Sequence, residues 1–402
     1  MYMKEDTQLI FKELCTIVKN QKMSTKKEPL TPEGTAFIHS LFASLNEKNK
    51  MFLKEKIQPT HLTELPRCED FSYIPKSISA EIHDSCRHFV KYTFHFSKRQ
   101  FDVFLCTSGK DTTGKHEIQN RIRQIYLWLA LANDFVSPTC SNSVHIYLYL
   151  IPAKKKLPEH TTDVIDSIHV NTAFTTSCRP HTNVTIHREE EWFRALIHES
   201  FHNLGLDFLR LDSTVQKKAE NRIRTLFPVT ISTFNLAETY CETWAEILNC
   251  LILVFINSPS IHSSSSAKNM TGLFTDMLFF ETLFSQLQCV KVLHHNHLKY
   301  NHLTDKLHAT KYKEKTSVFS YYIIKCIFMT HVSLFIHFCA TSSTSIQFLL
   351  SETNLNRYID MIIANHHSEK MMKGINTMEK EWENVKKIDI LKSTLRMSLF
   401  EQ

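Results

Sequence analysis

Glycine is scarce in this sequence, and the motifs that depend on glycine or on paired cysteines are missing. Only 6 of the 402 residues are glycine and 11 are proline, which argues against collagen, β-propeller repeats and glycine-rich phosphate loops. Neither a G-x-G-x-x-G nor a Walker-type pattern occurs, so nucleotide binding through those devices is unsupported. The 11 cysteines are odd in number and include no C-x-x-C pair. We therefore predict neither a disulfide framework nor a cysteine zinc site, and a reducing compartment is the simplest fit.

A secretory leader and a long uncharged apolar run are also missing. Residues 1–6 lack the basic-then-apolar pattern of a signal peptide. The best membrane candidate, Phe319–Ala340, is interrupted by Lys325, His331 and His337, whereas a bilayer span needs about 20 residues with almost no charge. We expect a buried helix at this position, no membrane partner, and a cytoplasmic protein that is not secreted.

The charge is mildly positive, with 47 Lys+Arg against 41 Asp+Glu and a formal net charge of +6. Its basic runs, such as 154–156, are short and typical of solvated loops, so no nucleic-acid partner is predicted. With 43% hydrophobic and 22% charged residues, the composition is that of a globular protein, which excludes a wholly disordered chain. At about 100–200 residues per domain, the length predicts two or three domains or lobes.

The order of strand and helix patterns predicts an α+β fold, in which a mixed sheet precedes a short helix and a mostly helical C-terminal half. We divide the chain into a mostly helical N-terminal segment (1–87), a core (88–256) and a helical C-terminal lobe (257–402), which begins with the serine-rich stretch 257–268. The apolar and β-branched runs predict strands at 87–96, 100–106, 144–151, 170–176 and 183–187, and helices at 118–133, 189–204 and 235–256.

Histidine is unusually frequent, at 23 residues, and two histidines form an H-E-x-x-H pattern from His198 to His202. Residues four apart share one face of a helix, so both imidazoles can bind one ion. Zinc accepts neutral imidazole nitrogens at about 2.0–2.1 Å. Glu199 projects beside such an ion, where it can take a proton from a bound water and return it to a leaving group. The competing interpretation is an amphipathic helix with two polar-face histidines.

A catalytic zinc needs a third protein ligand and an open position. The spacing H-E-x-x-H-x-x-G-x-x-H would place that ligand at Phe208, so this arrangement fails. Asp207 lies next to it but out of register, and we expect it to support the site without binding the metal.

Downstream, Glu238, Glu242 and Glu246 follow one another at intervals of four on one helix face. Because like charges at this spacing repel, the stripe favours a cationic partner.

The H-E-x-x-H pattern followed by residues 242–246 resembles the gluzincin type of zincin metallopeptidase. In that group a glutamate on a second helix is the third zinc ligand, often within a Glu-x-x-Ala-(Asp/Glu) stretch. The resemblance implies a zincin-like fold and a Zn²⁺ cofactor, with His198, His202 and Glu242 as ligands, Glu199 as general base and Glu246 holding a zinc-bound imidazole in place.

The third ligand stays open between two glutamates. Glu242 is preferred because Ala245 and Glu246 match the rest of the family pattern. Glu238 is the rival, in which case Glu242 would support a ligand instead of binding the metal.

The stretch from residue 165 to 250 is also similar to uncharacterised metallopeptidase-like proteins of large DNA viruses. The main hypothesis is a zinc-dependent metallopeptidase that hydrolyses a peptide or protein substrate. If the protein is viral, we expect it in the host cytoplasm or the virion. The alternative is a non-catalytic viral structural or interaction protein. Its zinc site would be completed by a fourth protein ligand, such as Asp207, a histidine or Cys241. A weaker option is a zinc hydrolase that acts on a non-peptide amide.

Two further features of such an enzyme have candidates. The strand 170–176 would lie at the sheet edge and pair with an extended substrate, although an ordinary internal strand is equally compatible. A donor to the oxyanion would come from Tyr321 or Tyr322, or from a histidine cluster. That cluster is also a candidate second metal site, and its members are His294, His295, His297 and His302.

Overall fold

The chain is α+β, as the order of sequence patterns predicted. The computed structural model describes residues 4–23, 28–108, 115–258, 264–343 and 345–401. The strands are β1 (Thr60–His61), β2 (His88–Phe96), β3 (Arg99–Thr107), β4 (Ser143–Tyr149), β5 (Ala173–Thr175) and β6 (His181–Ile186). The helices of the first half are α1 (Glu5–Asn20), α2 (Pro32–Lys54), α3 (Lys76–Ser85), α4 (Lys115–Asn133), α5 (Ser167–Val170) and α6 (Trp192–Asn203). Those that follow are α7 (Ser213–Leu226), α8 (Leu236–Asn257), α9 (Ser264–His295), α10 (Lys306–Ala309), α11 (Lys325–Thr330), α12 (Val332–Ser342), α13 (Glu352–Asn365), α14 (Glu369–Val385) and α15 (Asp389–Ser393).

The six strands form one mixed sheet in the order β1-β2-β3-β4-β6-β5. β2 and β3 form the expected antiparallel hairpin, whose two-residue loop places Ser97 in the left-handed region at φ 55°. β3, β4 and β6 run parallel, and α4 connects the first two of them. β5 is antiparallel to β6 and lies at the end of the sheet. The predicted strand 170–176 is shorter than expected, since its first residue belongs to α5.

Alternate side chains of the sheet enter two different cores, as the period of two along a strand requires. Val103, Ile146 and Val184 point into the large core that the sheet shares with α4, α6 and the helical half. Tyr147 and Tyr149 point to the opposite face, where they pack with α3 and residues 68–74. The sheet is therefore covered on both faces, and α6 begins six residues after β6.

The large core draws residues from all three predicted segments, from Ile10 in α1 to Phe400 near the C-terminus. β1, inside the segment predicted to be mostly helical, pairs with β2. The serine-rich stretch 257–268 is partly helix, since α9 begins at Ser264; residues 259–263 lie outside the described part. The proposed boundaries therefore divide the sequence without separating the packed core.

α8 is the central helix of the large core and carries the three glutamates. It is long and apolar enough to cross a membrane, but 94% of its most apolar window is buried inside the protein, as in a core helix. The expected single helix at 319–340 is instead a π-helical turn (Phe319–Ile324), α11 and α12, with a bend of 86° at the break between Thr330 and Val332. The expectation that this stretch is buried is confirmed for most of its residues.

We predicted no disulfide framework, and the structure contains one bond that this prediction did not foresee, between Cys140 and Cys178. The other nine cysteines are free, and all but Cys15 are buried. The bonded pair lies at the C-terminal end of α6, where the backbone N–H of Cys178 donates to the carbonyl of Asn203 at 3.0 Å. The bond ties the loop between β5 and β6 to the segment that precedes β4.

Candidate metal centre

α6 carries the H-E-x-x-H pattern, and hydrogen bonds of the preceding residue hold its N-terminus in place. The residue before its first turn, Glu191, has a left-handed backbone with φ 58°. Such a conformation is costly for a non-glycine residue and needs support from its surroundings. Its buried carboxylate supplies that support, because it accepts hydrogen bonds from the ammonium of Lys155 at 2.7 Å and from the backbone N–H groups of Met397 and Ser398 at 2.9 and 2.7 Å. The helix ends before Gly205, whose φ of 64° is the usual glycine exit from a helix.

The two histidines of the pattern share one face of α6 and meet the first glutamate of α8. Nε2 of His198 lies 3.0 Å from Oε2 of Glu238, and Nε2 of His202 lies 3.3 Å from the same oxygen. The ligand atoms of the three residues all lie within 4.8 Å of one another. Two ligands of a tetrahedral zinc, each about 2.0 Å from the ion, stand about 3.3 Å apart. The three side chains therefore fit a common zinc ion.

The other nitrogen of each imidazole faces its own carboxylate. Nδ1 of His202 lies 2.5 Å from Oδ2 of Asp207, and Nδ1 of His198 lies 3.3 Å from Oε1 of Glu242. A carboxylate at Nδ1 fixes the ring orientation and keeps the proton there, which leaves the lone pair of Nε2 for a metal. The supporting role expected of Asp207 fits this geometry.

The preference for Glu242 over Glu238 as third ligand does not fit the geometry. One oxygen of Glu242 faces Nδ1 of His198, and the other accepts from the guanidinium of Arg194. Glu238, by contrast, contacts the Nε2 atoms of both histidines. The rival assignment from the sequence, with Glu238 as ligand and Glu242 behind an imidazole, is the one that the structure favours.

The role expected of Glu246 is not supported either. Its carboxylate is fully buried and pairs with the ammonium of Lys325 at 2.5 Å. Lys325 also donates to the backbone carbonyl of Met397. Glu246 therefore connects α8 to the C-terminal segment 394–401 and makes no contact with either histidine.

A chain of buried charges leads away from His198 on its Nδ1 side. It runs from Glu242 to Arg194, from Arg194 to Glu191 at 3.2 Å, and from Glu191 to Lys155 at 2.7 Å. Cations and carboxylates alternate, so each charge lies beside an opposite one. Burial alone would raise the pKa of Glu242, but the charges of Arg194 and His198 hold it at about 2. Glu242 is therefore an ionised carboxylate beside His198.

Replacing Arg194 by methionine is expected to lower the free energy of unfolding by about 3–5 kcal/mol, because Glu191 and Glu242 would remain buried without their shared cation. Urea denaturation measures the change. The matched control is Arg222→Met, whose partner Asp360 is on the surface, with an expected change of about 1 kcal/mol or less. Equal small losses in both variants would contradict the buried network.

The Nε2 side of the histidines opens into a cavity of about 330 Å³. Glu199 lines it one position after His198, and its burial raises the pKa of its carboxyl above the usual value, although the charges of both histidines oppose this. β5 forms one wall of this cavity, and the strand expected to bind substrate does lie at the sheet edge. Tyr321, on the π-helical turn, lines the cavity with its ring 6.2 Å from that of His198.

The remaining candidates for an oxyanion donor lie elsewhere. The hydroxyl of Tyr322 donates to the carbonyl of Leu395 at 2.6 Å, away from the cavity. In the cluster, His295 contacts the carbonyl of Asp163 and His294 packs on Trp382. No member of the cluster lines the cavity, and among the described residues none belongs to a group of three potential metal ligands.

Sequence reasoning missed Arg194, Lys155 and Met397, all of which line the cavity. Arg194 carried a usable signal, since it precedes His198 by four residues and so lies one turn earlier on the same face of α6. Lys155 is in a short basic run that we interpreted as a solvated loop; its side chain is fully buried. Met397 lies in the predicted helical C-terminal lobe, but in a part of it, 394–401, that is not helical.

Comparisons of the chain with protein-family models, with curated protein sequences and with solved structures found no match. The resemblances to gluzincins and to proteins of large DNA viruses therefore stay predictions, as does the cytoplasmic location.

Proposed function

We propose that this protein is a zinc-dependent metallopeptidase of zincin-like fold, with His198, His202 and Glu238 as ligands and Glu199 as general base. The observation that carries the proposal is the convergence of two Nε2 atoms and one carboxylate on a single point at the wall of a cavity. A sheet edge that can bind a peptide borders the same cavity. The antiparallel edge strand beside α6, and the glutamate supplied by a second helix, support the zincin-like form of the α+β fold.

The roles of the side chains follow from where they lie. A zinc ion held by these three side chains would supply a Lewis acid and an acidified water. Glu199 takes the proton of the attacking water and delivers it to the leaving amine, and its raised pKa suits both transfers. Tyr321 borders the cavity and is our candidate to donate a hydrogen bond to the developing oxyanion. Asp207 and Glu242 hold the two imidazoles in the tautomer that binds metal.

The alternative, a structural zinc in a non-catalytic protein, needs a fourth protein ligand. Asp207 and Cys241 were the named candidates, and both lie on the Nδ1 side of His202, at 2.5 and 3.7 Å from that nitrogen. At the Nε2 side, His198, His202 and Glu238 line the same cavity as Glu199. This arrangement favours an open coordination position and therefore catalysis.

The test is the zinc content of purified protein, measured by elemental mass spectrometry. We expect about one zinc per chain in the wild type and in Glu352→Ala, a surface control, and almost none in Glu238→Ala or His202→Ala. Glu242→Ala should still bind zinc, with about 10- to 100-fold lower affinity, because Glu242 lies behind His198 and is not one of the proposed ligands.

If Glu242→Ala loses zinc and Glu238→Ala keeps it, the third ligand is Glu242, one helical turn further along α8. A wild type that takes up no zinc, even after reconstitution, would overturn the proposal.

A further inference from the structure

The disulfide between Cys140 and Cys178 lies against the C-terminal end of the helix that carries the H-E-x-x-H pattern. Asn203 directly follows His202 on this helix. The backbone carbonyl of Asn203 accepts hydrogen bonds from the N–H of Cys178 at 3.0 Å and from the hydroxyl of Ser141 at 2.6 Å. One half of the bonded pair, and the residue after the other half, therefore contact the neighbour of a proposed zinc ligand.

The same end of α6 is hydrogen-bonded to the wall of the cavity at the metal centre. The side-chain amide of Asn203 donates to the hydroxyl of Thr175 at 3.1 Å and to the carbonyl of Thr176 at 2.9 Å. Thr175 and Ser177 line the cavity. Because Cys178 is the next residue, the disulfide cross-links the loop between β5 and β6 at the point where this loop borders the cavity.

The two halves of the disulfide differ in their anchoring and in their exposure. Cys140 is fully buried, and its backbone carbonyl accepts a hydrogen bond from the guanidinium of Arg99 at 2.8 Å. Cys178 is half-buried and lies between the exposed residues Ser177 and Arg179. A reductant can therefore reach the bond from the side of Cys178, and the segment before β4 keeps a separate anchor when the bond opens.

The backbone at both ends of the bond has an unfavourable conformation. Ser141, next to Cys140, has φ 51°, and Cys178 has φ 25°. Positive φ angles are costly for residues other than glycine and persist only where the surroundings enforce them. The covalent bond is one such constraint. Once it opens, the loop is held by hydrogen bonds such as that from the N–H of Ser141 to the carbonyl of Arg179 at 2.8 Å. We therefore expect the loop to open more often in the dithiol form.

The other cysteines make this bond unusual. Nine cysteines are free, and eight of them are buried. The cysteine content predicts a reducing compartment, where the disulfides that do form are usually transient and act in catalysis or redox sensing. The accessible position of Cys178 suits a bond that opens and closes with the redox conditions.

We propose that the disulfide between Cys140 and Cys178 regulates the metal centre through its redox state. In the bonded form, the loop between β5 and β6 is fixed against the cavity. In the dithiol form, this loop is released and hydrolysis slows, while zinc stays bound because the ligands His198, His202 and Glu238 belong to α6 and α8. The inference rests on the proposed peptidase function and adds its regulation.

The bond opens by thiol–disulfide exchange with an external dithiol. A thiolate of the reductant attacks Sγ of Cys178, and Cys140 leaves as a thiolate that takes up a proton. The second thiol of the reductant then attacks the mixed disulfide, which leaves two protein thiols and the disulfide of the reductant. A phosphine opens the same bond and is oxidised to its phosphine oxide, with water as the source of the oxygen.

Hydrogen exchange and peptide hydrolysis by the zinc-loaded protein, each in the oxidised and the reduced form, test the inference. The reductant is a phosphine, because thiols bind zinc, and differential alkylation with peptide mapping reports the state of Cys140 and Cys178. In the reduced form we expect the amides of residues 176–179 to exchange at least about tenfold faster. We expect kcat/KM on a quenched peptide to fall about 10-fold or more, since a displacement of about 1 Å at an active site has effects of this order. Zinc content should not change, and oxidised glutathione should restore both rates.

Cys178→Ser removes the bond without a reductant. Its kcat/KM and its hydrogen exchange should match those of the reduced wild type and should not respond to the phosphine. Cys15→Ser is the matched control, because Cys15 is the other cysteine that is not buried. It should behave as the wild type in both redox forms. A Cys178→Ser protein with the activity of the oxidised wild type would contradict the inference.

Equal hydrogen exchange and equal kcat/KM in the two redox forms would overturn the inference and leave the peptidase standing. The same holds if Cys140 and Cys178 are both alkylated in protein that has been treated only with oxidised glutathione. If no peptide is cleaved in either form although zinc is bound, the proposed function fails instead, and hydrogen exchange alone decides whether the redox state controls the loop.

Discussion

Glu199→Gln is expected to keep its zinc and to lose peptide hydrolysis, with kcat/KM lower by about 10²- to 10⁴-fold, the usual contribution of a positioned general base. The amide has nearly the same shape as the carboxylate but cannot accept a proton. Glu199 is one residue past His198 and lines the cavity. The Nε2 atoms of both histidines contact Glu238. We therefore expect the proposed ligands to stay in place when Glu199 is replaced. Steady-state kinetics on a quenched peptide, together with zinc content, measure both effects.

Glu352→Gln, on the surface of α13, is the control and should match the wild type in activity and in zinc. A Glu199→Gln protein with full activity would exclude Glu199 as the base. A variant that loses zinc together with activity would instead indicate that Glu199 acts in binding the metal.

The α+β order, the hairpin and the helix that carries the H-E-x-x-H pattern followed from local patterns. Alternating apolar residues in β2 and β3 and the helical period in α4 and α8 are properties of short windows, which is why the predicted bounds differ by only a few residues from those observed. The H-E-x-x-H spacing placed two imidazoles on one face because that depends only on helix geometry. α7 was missed, and together with the start of α8 it lines a cavity next to the one at the histidines.

The choice between Glu238 and Glu242 depended on information that the helix alone does not contain. Residues four apart share a face of α8, but which of them meets the Nε2 atoms is set by how far α8 is shifted along α6 when the two helices pack. Arg194, on α6, fixes that shift by pairing with Glu242. Glu246, one turn further, then meets Lys325 instead of an imidazole.

Contacts distant in sequence explain the remaining errors. The pair Cys140–Cys178 spans 38 residues and shows no spacing motif. The segment 394–401 is buried throughout. Its backbone N–H groups donate hydrogen bonds to carboxylates far earlier in the chain, among them those of Glu191 and Glu281. These partners come together only when the whole core has formed, so no local pattern predicts them.

Zinc affinity is expected to rise steeply with pH, because the metal must displace protons from the two histidines. In the metal-free protein, burial alone would lower the pKa of His198, but the charge of Glu242 and the contact with Glu238 raise it to about 9. Burial also opposes protonation of His202, yet its pKa lies well above the usual value because of Cys241, Glu238 and Asp207. Both shifts favour the protonated imidazoles in the metal-free protein.

Since each bound zinc then releases up to two protons, the apparent Kd should fall by up to about 100-fold per pH unit below pH 9 and level off once His198 and His202 are neutral. Competition with a chelator of known affinity between pH 6 and 9, corrected for the chelator's own protonation, gives the slope. Titration calorimetry in buffers of different ionisation enthalpy counts the protons directly. A slope near zero would mean that the imidazoles are already neutral in the metal-free protein, and that the carboxylates around them do not hold protons there. A slope near one would assign the displaced proton to a single histidine, and Asp207→Asn, which removes the carboxylate behind His202 alone, would identify which one.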